Sequence, residues 1–258
     1  MKDLAGESRF FRPLRKRYAN VPSILLCRVP ELEYASQLEL RGATLDHCCG
    51  DAIFASLGWP GDKFTAGCDL DAPSIAEARK LARHGRLDVC DAAKRLPYDD
   101  ASFDLVFNNS ALEHIPDLDR ALAEVARVTR RGGRFAFNVL NHRYFEWWPS
   151  EAPDAAAYRE WQPFFHAFDL AEWTRRLAAA GFSVSEVRGY FDEEASRVLA
   201  LLDSEFSGHF FGKHSSGLVK QFRSSWWCRF GWRRRLAALS WRTEPDAGAG
   251  YFFVCERQ

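Results

Sequence analysis

The chain has 258 residues, of which 47% are hydrophobic and 27% charged, so it is long enough to bury a core and unlike disordered, collagen-like or coiled-coil sequences. Acidic and basic residues number 35 each, and the resulting formal charge of zero does not favour nucleic acid as a partner. No stretch approaches the ~20 apolar residues of a membrane-spanning helix, and the amino terminus lacks the apolar core of a secretory signal, so we expect a cytoplasmic protein.

Residues 1–42 form a predicted N-terminal helical segment, and residues 43–141 alternate short strand-like runs with helical patterns. This alternation is typical of a parallel sheet flanked by helices. The strand candidates are ATLDHC, FTAGCD, LDVC, FDLVFN and RFAFNVL. DAPSIAEARKLAR predicts a helix capped by Asp71, and DLDRALAEVARVTR predicts a helix that ends at Gly132 and Gly133.

Residues 142–191 contain an aromatic connector, a predicted helix from about Leu170 to Ala180, and a sixth strand, FSVSEVRGYF. Residues 250–258 supply the last strand, so residues 192–249 are an insertion before the sheet is completed. We therefore predict an α/β fold with a doubly wound, seven-stranded, mostly parallel sheet. Its last strand is expected to be antiparallel and to follow a helical insertion.

Small or polar residues follow four successive predicted strands, namely Gly50, Asp69, Asp91 and Asn108. Ligands of doubly wound sheets bind at the carboxyl ends of the strands, so these residues predict one site. A glycine in a strand-to-helix turn lets backbone approach a ligand closely, and an acid after the second strand can accept hydrogen bonds from ribose hydroxyls. Alone, a glycine after a strand is more often only a turn, and an acid there can be a solvated strand end.

The stretch from Leu45 to Asn141 resembles the class I S-adenosylmethionine-dependent methyltransferases of the small-molecule type. The motifs that carry the resemblance are LDHCCGDA, GCDLDAPSIAEA, DAAKRLPYDDASFDLVFNNSALEHI and RRGGRFAF. It implies a methyltransferase with S-adenosylmethionine as cofactor and S-adenosylhomocysteine as product. The alternatives are a protein that binds the cofactor without transferring its methyl group and an NAD-dependent oxidoreductase. The latter is disfavoured because LDHCCGDA lacks the spaced glycines that a pyrophosphate needs.

The resemblance also implies roles for the strand-end residues. At the nucleoside end, Asp69 would hold the ribose hydroxyls and Leu70 would pack on the adenine face. Asp91, with the backbone of Ala92, would contact the adenine edge.

At the methionine end, the resemblance implies that Asp46, Cys48 and Gly50 line the site, with Asp46 reaching the amino group through water. Asn108 would contribute its main-chain carbonyl near the sulfonium. Cys48 and Ala52 stand where the family usually has glycine, and a positive φ at either residue would be strained. Cys48 or Cys49 could be a reactive thiol, although burial in the protein is the commoner fate of such cysteines.

Two histidines are candidate catalytic bases. His114 follows the fourth strand in LEHI, and His166 precedes the predicted helix at Leu170. Either could instead be structural, with His166 packing on Trp161 or Trp173. Tyr144, Trp147 and Trp148 could wall an acceptor pocket or pack in a core.

Residues 206–243 contain six arginines, two lysines and no acidic residue, together with four of the nine tryptophans. Arginine and tryptophan together favour the membrane interface, so this segment predicts peripheral contact at the inner membrane surface and a lipid-linked acceptor. It could also pack on the core, or bind single-stranded nucleic acid, which we do not expect. The tail also resembles bacterial methyltransferases of glycan and lipid-glycan assembly, and natural-product tailoring remains open.

The seven cysteines stand at positions 27, 48, 49, 68, 90, 228 and 255, with no C-x-x-C pair among them. The odd number and irregular spacing argue against a disulfide framework and a zinc site. We expect most of them to be buried, reduced thiols.

Overall fold

The computed structural model of the chain describes residues 8–18, 21–152, 154–210, 239 and 241–258. Its strands are β1 (Thr44–His47), β2 (Phe64–Asp69), β3 (His84–Val89), β4 (Phe103–Asn109), β5 (Thr129–Leu140), β6 (Phe182–Tyr190), β7 (Arg242–Thr243) and β8 (Gly250–Arg257). Its helices are α1 (Phe11–Arg17), α2 (Pro22–Ala35), α3 (Ile53–Gly58), α4 (Ala72–Leu81), α5 (Leu118–Val128), α6 (Arg143–Glu146), α7 (Ala155–Trp161), α8 (Leu170–Ala179) and α9 (Glu193–Phe210). Most of the basic segment 206–243 lies outside the described residues.

The described strands form one eight-stranded sheet in the order β3-β2-β1-β4-β5-β8-β6-β7. The pairs β3-β2, β2-β1, β1-β4 and β4-β5 are parallel, whereas β7 pairs antiparallel with β6. The predicted α/β fold, with a mostly parallel sheet and a helix inserted before the last strand, is confirmed. The sheet has one strand more than predicted, because the two-residue β7 is too short to produce an alternating pattern.

Two helices that connect parallel strands, α4 and α5, begin where the sequence predicts. The Asp71 carboxylate accepts the Ser74 N–H at 2.9 Å and caps α4. Asp117 caps α5 in the same way by accepting the Arg120 N–H at 3.3 Å. The apolar face of α5 then packs into the core beneath the sheet.

The end of α5 differs from the prediction. The helix ends at Val128, and Gly132 and Gly133 lie within β5 instead of terminating the helix. Thr129 pairs with Phe103 and Arg134 with Leu105, so the residues between them form an irregularity in the β5 ladder. Gly132 has a φ of 73° there, a conformation that glycine adopts at no steric cost.

The described residues divide into two compact units. The sheet unit consists of Tyr34–Asn141, Phe164–Arg188 and Tyr251–Gln258. The helical unit consists of the described parts of Met1–Glu33, His142–Pro163 and Gly189–Gly250. Within the described ranges, we find no helix long and apolar enough to cross a membrane.

The aromatic connector contributes to the interior of the helical unit. Tyr144 is fully buried, and the Trp148 ring lies 5.7 Å from its ring and 4.8 Å from that of Tyr158. The Tyr158 hydroxyl in turn donates to Asp203 of α9. These contacts give Tyr144 and Trp148 a packing role, which was one of the two roles that the sequence allows.

Candidate cofactor site

The loop between β1 and α3 uses left-handed backbone at three positions. Cys48, Gly50 and Ala52 have φ angles of 59°, 53° and 61°. Cys48 and Ala52 therefore carry the strain expected for residues other than glycine. A Cβ added at Gly50 would meet no atom within 4 Å, so the space beside this glycine is open.

Asp69, at the end of β2, fixes this loop. Its Oδ2 accepts the Gly50 N–H at 2.8 Å, and its Oδ1 accepts the Asp71 N–H at 2.9 Å. Each carboxylate oxygen has a second lone pair, so both can still accept hydrogen bonds from a ligand. The sequence predicts the ligand-binding role but not the bond to Gly50.

Two large hydrophobic residues near the ends of β2 and β3 are exposed. Leu70 is 70% exposed and Val89 is 51% exposed, although both are large hydrophobic residues. Val89 pairs with Asp69 in the ladder between β2 and β3, and Leu70 is the residue after Asp69. The two hydrophobic residues therefore lie near the same ends of neighbouring strands. Sequence reasoning missed Val89, since a valine at a strand end is common and only its exposure is unusual.

The loop after β3 is shaped by Asp91. Its Oδ1 accepts the Ala93 N–H at 2.9 Å, and its Oδ2 lies 3.4 Å from the Lys94 Nζ. Ala92 is buried in the same loop. Because β3, β2, β1 and β4 are neighbours in the sheet, the four predicted strand ends meet at one edge.

Asp46 and His84 form a buried pair that the sequence does not predict. Asp46 Oδ2 and His84 Nε2 are 2.8 Å apart, and both residues are buried. The Cys49 thiol, the Asp46 carboxylate and the His84 imidazole have potential metal-ligand atoms within 4.8 Å of one another. Two ligand atoms of one tetrahedral zinc ion are about 3.3 Å apart, given zinc–ligand bonds of about 2.0–2.1 Å. The 2.8 Å between Asp46 Oδ2 and His84 Nε2 is shorter, so it indicates a direct hydrogen bond.

His47 and Asn108 form a second buried pair, at the adjacent ends of β1 and β4. The Asn108 side-chain nitrogen lies 3.0 Å from His47 Nδ1 and donates to the His47 carbonyl at 3.0 Å. His47 Nε2 has no hydrogen-bond partner among the described residues. Burial lowers the pKa of His47 to about 4, so the ring is neutral at pH 7.

The thiols of Cys48 and Cys49 are poor nucleophiles in this setting. Burial raises the pKa of both, and the nearby carboxylates of Asp46 and Asp69 raise it further. The six described cysteines are free thiols, and Cys49, Cys68 and Cys255 are buried. These features favour a packing role for Cys48 and Cys49.

The two candidate bases lie in segments joined by hydrogen bonds. The backbone N–H groups of Phe165 and His166 both donate to the Glu113 carbonyl, at 2.9 and 3.3 Å. His166 Nε2 lies 2.9 Å from the Ile115 carbonyl, which can only accept. Hydrogen bonds to the LEHI turn therefore hold His166 near His114, and the His166 ring packs on Phe168, 5.2 Å away.

Replacing Cys48 with glycine is expected to stabilise the fold by about 0.5–1 kcal/mol. Relief of the left-handed strain contributes about 1–2 kcal/mol, and the greater freedom of glycine in the unfolded chain offsets about 0.5–1 kcal/mol of it. Urea unfolding would measure the gain. Cys48→Ala is the matched control, because it removes the thiol and keeps the strained Cβ; an equal gain in both variants would contradict the explanation.

Comparison with known proteins places these features in a family. Residues 45–137 match the family model described as "Methyltransferase domain". A "probable S-adenosylmethionine-dependent methyltransferase" of Mycolicibacterium smegmatis is 33% identical over 167 residues, which are 64% of this chain and 60% of that protein. The demethylmenaquinone methyltransferase of Thermobifida fusca is 34% identical over 172 residues, which are 55% of this chain and 72% of that protein.

Solved structures show the same fold. The chain resembles an S-adenosylmethionine-dependent methyltransferase of Thermotoga maritima with a TM-score of 0.59 at 15% identity, covering 96% of this chain and 98% of that one. The chain spans 60% of the length of the Mycolicibacterium relative. With the strand-end acids, the left-handed loop and these matches together, the chain belongs to the class I S-adenosylmethionine-dependent methyltransferases.

Proposed function

We propose that this chain transfers a methyl group from S-adenosylmethionine to a small-molecule or lipid-linked acceptor. The observation that carries the proposal is the bond from the Gly50 N–H to Asp69, which joins the ends of β1 and β2 beside the exposed Leu70. When bound, S-adenosylmethionine supplies an activated methyl group and the sulfonium leaving group.

The nucleoside end of the cofactor fits the loops after β2 and β3. The free lone pairs of Asp69 suit a ribose diol, and the exposed side chains of Leu70 and Val89 suit the face of a purine. Asp91 and the backbone of Ala92 lie on the next loop, where they would contact the adenine edge. Binding would cover apolar surface that is otherwise exposed to water.

The methionine end fits the loop after β1. Among the described residues, Asp46 Oδ1 has no hydrogen-bond donor, so it can accept from an ammonium group. Cys48 and the open space at Gly50 would accommodate the amino-acid chain. The Asn108 carbonyl, at the end of β4, would lie near the sulfonium.

On the acceptor side, His166 is our candidate base and His114 is the second. Donation from His166 Nε2–H to Ile115 leaves the Nδ1 lone pair to take a proton from an acceptor hydroxyl. His166→Gln keeps a donor near the Nε2 position and removes the base. We expect this variant to bind S-adenosylmethionine normally and to transfer the methyl group more slowly; equal activity would remove His166 from this role.

A small-molecule acceptor is supported by the relative from Thermobifida fusca, whose name gives demethylmenaquinone as its substrate. The decisive assay incubates the purified chain with S-adenosylmethionine labelled on the methyl group and fractionated small-molecule and lipid extracts. We expect label in an extract component and an equal amount of S-adenosylhomocysteine. Cofactor binding without label transfer from any fraction would favour the binding-only alternative.

Lipid-linked acceptors are supported by the eight positive charges of residues 206–243. Each basic residue near an anionic membrane surface contributes about 1 kcal/mol of attraction. We therefore expect the chain to sediment with vesicles containing phosphatidylglycerol and to be released by high salt. Equal sedimentation with neutral phosphatidylcholine vesicles, or none with either, would contradict an electrostatic membrane contact.

A further inference from the structure

His84 and Asp46 form a buried contact although their strands, β3 and β1, are separated by β2. Asp46 pairs with Gly67 of β2, and Gly67 pairs with Leu87 of β3. His84 therefore lies three residues before the level of Asp46, at the start of β3. Its side chain crosses β2 to bring Nε2 within 2.8 Å of Asp46 Oδ2.

Gly67 makes this crossing possible. A Cβ at Gly67 would lie 2.6 Å from His84 Cδ2, closer than real Cβ atoms approach, and 3.0 Å from Nε2. The ring of Phe64 stacks on the imidazole with 5.6 Å between centroids and fixes its orientation. The missing side chain of Gly67 therefore leaves room for the imidazole, and Phe64 packs against its ring.

The hydrogen bonds of this pair indicate more than a structural role. A carboxylate can only accept, so His84 Nε2 donates the proton. His84 Nδ1 is buried and has no partner among the residues described. Burying an unpaired polar nitrogen is unfavourable, and an apolar side chain would fill this place without that loss. What His84 does provide is a donor that fixes one oxygen of Asp46 and leaves the other available.

We infer that His84 is a positioning residue, which orients the Asp46 carboxylate towards the amino group of S-adenosylmethionine. The inference rests on the proposed function, in which Asp46 Oδ1 accepts from that amino group. A carboxylate held by one oxygen keeps the other in a single orientation, and this preorganisation lowers the entropy lost when the ligand binds.

Two substitutions of similar size separate this role from a general effect on the fold. His84→Gln keeps a donor near the Nε2 position, whereas His84→Asn is shorter and cannot reach Asp46. Both would be titrated with S-adenosylhomocysteine and with 5′-methylthioadenosine, which lacks the amino-acid part. We expect His84→Asn to weaken S-adenosylhomocysteine binding about tenfold and His84→Gln to restore most of the loss. Neither substitution should change the affinity for 5′-methylthioadenosine.

An equal loss for both ligands would overturn the inference, because it would mean that His84 supports the site only through the fold. Unchanged binding of both ligands by His84→Asn would overturn it as well. A wild-type chain that binds neither ligand would instead contradict the proposed function itself. Thermal unfolding of each variant would show whether an equal loss has a structural origin.

Discussion

Asp69→Ala is expected to weaken S-adenosylmethionine binding by about 1–3 kcal/mol, roughly 5- to 150-fold. The substitution removes the carboxylate that would accept from the ribose hydroxyls. It also leaves the N–H groups of Gly50 and Asp71 without their acceptor, so the loop after β1 loses the bond that fixes it. Isothermal titration calorimetry of the folded variant would measure the change.

A control separates the site from the fold. Asp71→Ala removes the cap of α4 two residues away and should lower stability by about 0.5–2 kcal/mol, with cofactor affinity unchanged. Asp69→Asn keeps one acceptor for the backbone and removes the charge, so its affinity should lie between those of wild type and Asp69→Ala. Wild-type affinity in Asp69→Ala would exclude Asp69 from cofactor binding.

The stability of the fold is expected to fall by about 3 kcal/mol as the pH decreases from 6.5 to below 4, owing to His47 alone. Burial lowers the pKa of His47 from 6.5 to about 4 in the folded state. Between these values the unfolded chain takes up a proton that the folded chain does not, so stability is complete above pH 6.5 and is lost on acidification. About 2 kcal/mol of the loss should occur above pH 5, before most carboxylates titrate.

Urea unfolding at several pH values would measure this dependence. His47→Gln is the control: it should be less stable than wild type at pH 7, because it disturbs the contact with Asn108, but it should lose less stability between pH 6.5 and 5. Parallel curves for the two proteins over that interval would contradict a buried neutral His47.

The sequence predicts the cofactor half of the fold well because local signals agree there. Strand β2 has the predicted bounds, and Asp71 caps α4 as its sequence suggests. Gly132 and Gly133 misled the prediction because glycine terminates helices and also permits a ladder irregularity such as that in β5. Periodicity alone does not distinguish these two uses.

The positions of Asp69 at the end of β2 and Asp91 just after β3 could be predicted, because a strand-like run precedes each of them. Their roles in ligand binding stay predictions. His84 could not be predicted, because its contact with Asp46 depends on the register of three strands and on the absent side chain of Gly67. His47 was missed for a related reason: its neutral state follows from burial at the end of β1, and sequence does not report burial residue by residue.

Calorimetric titration of the purified chain with S-adenosylmethionine, S-adenosylhomocysteine and NAD tests the cofactor site most directly. We expect one binding site of micromolar affinity for each of the first two ligands and no heat of binding for NAD. The open space at Gly50 and the acids at the ends of β1, β2 and β3 suit the two S-adenosyl ligands. The loop after β1 lacks the spaced glycines that the pyrophosphate of NAD needs. Binding of NAD, or failure to bind both S-adenosyl ligands, would contradict the account.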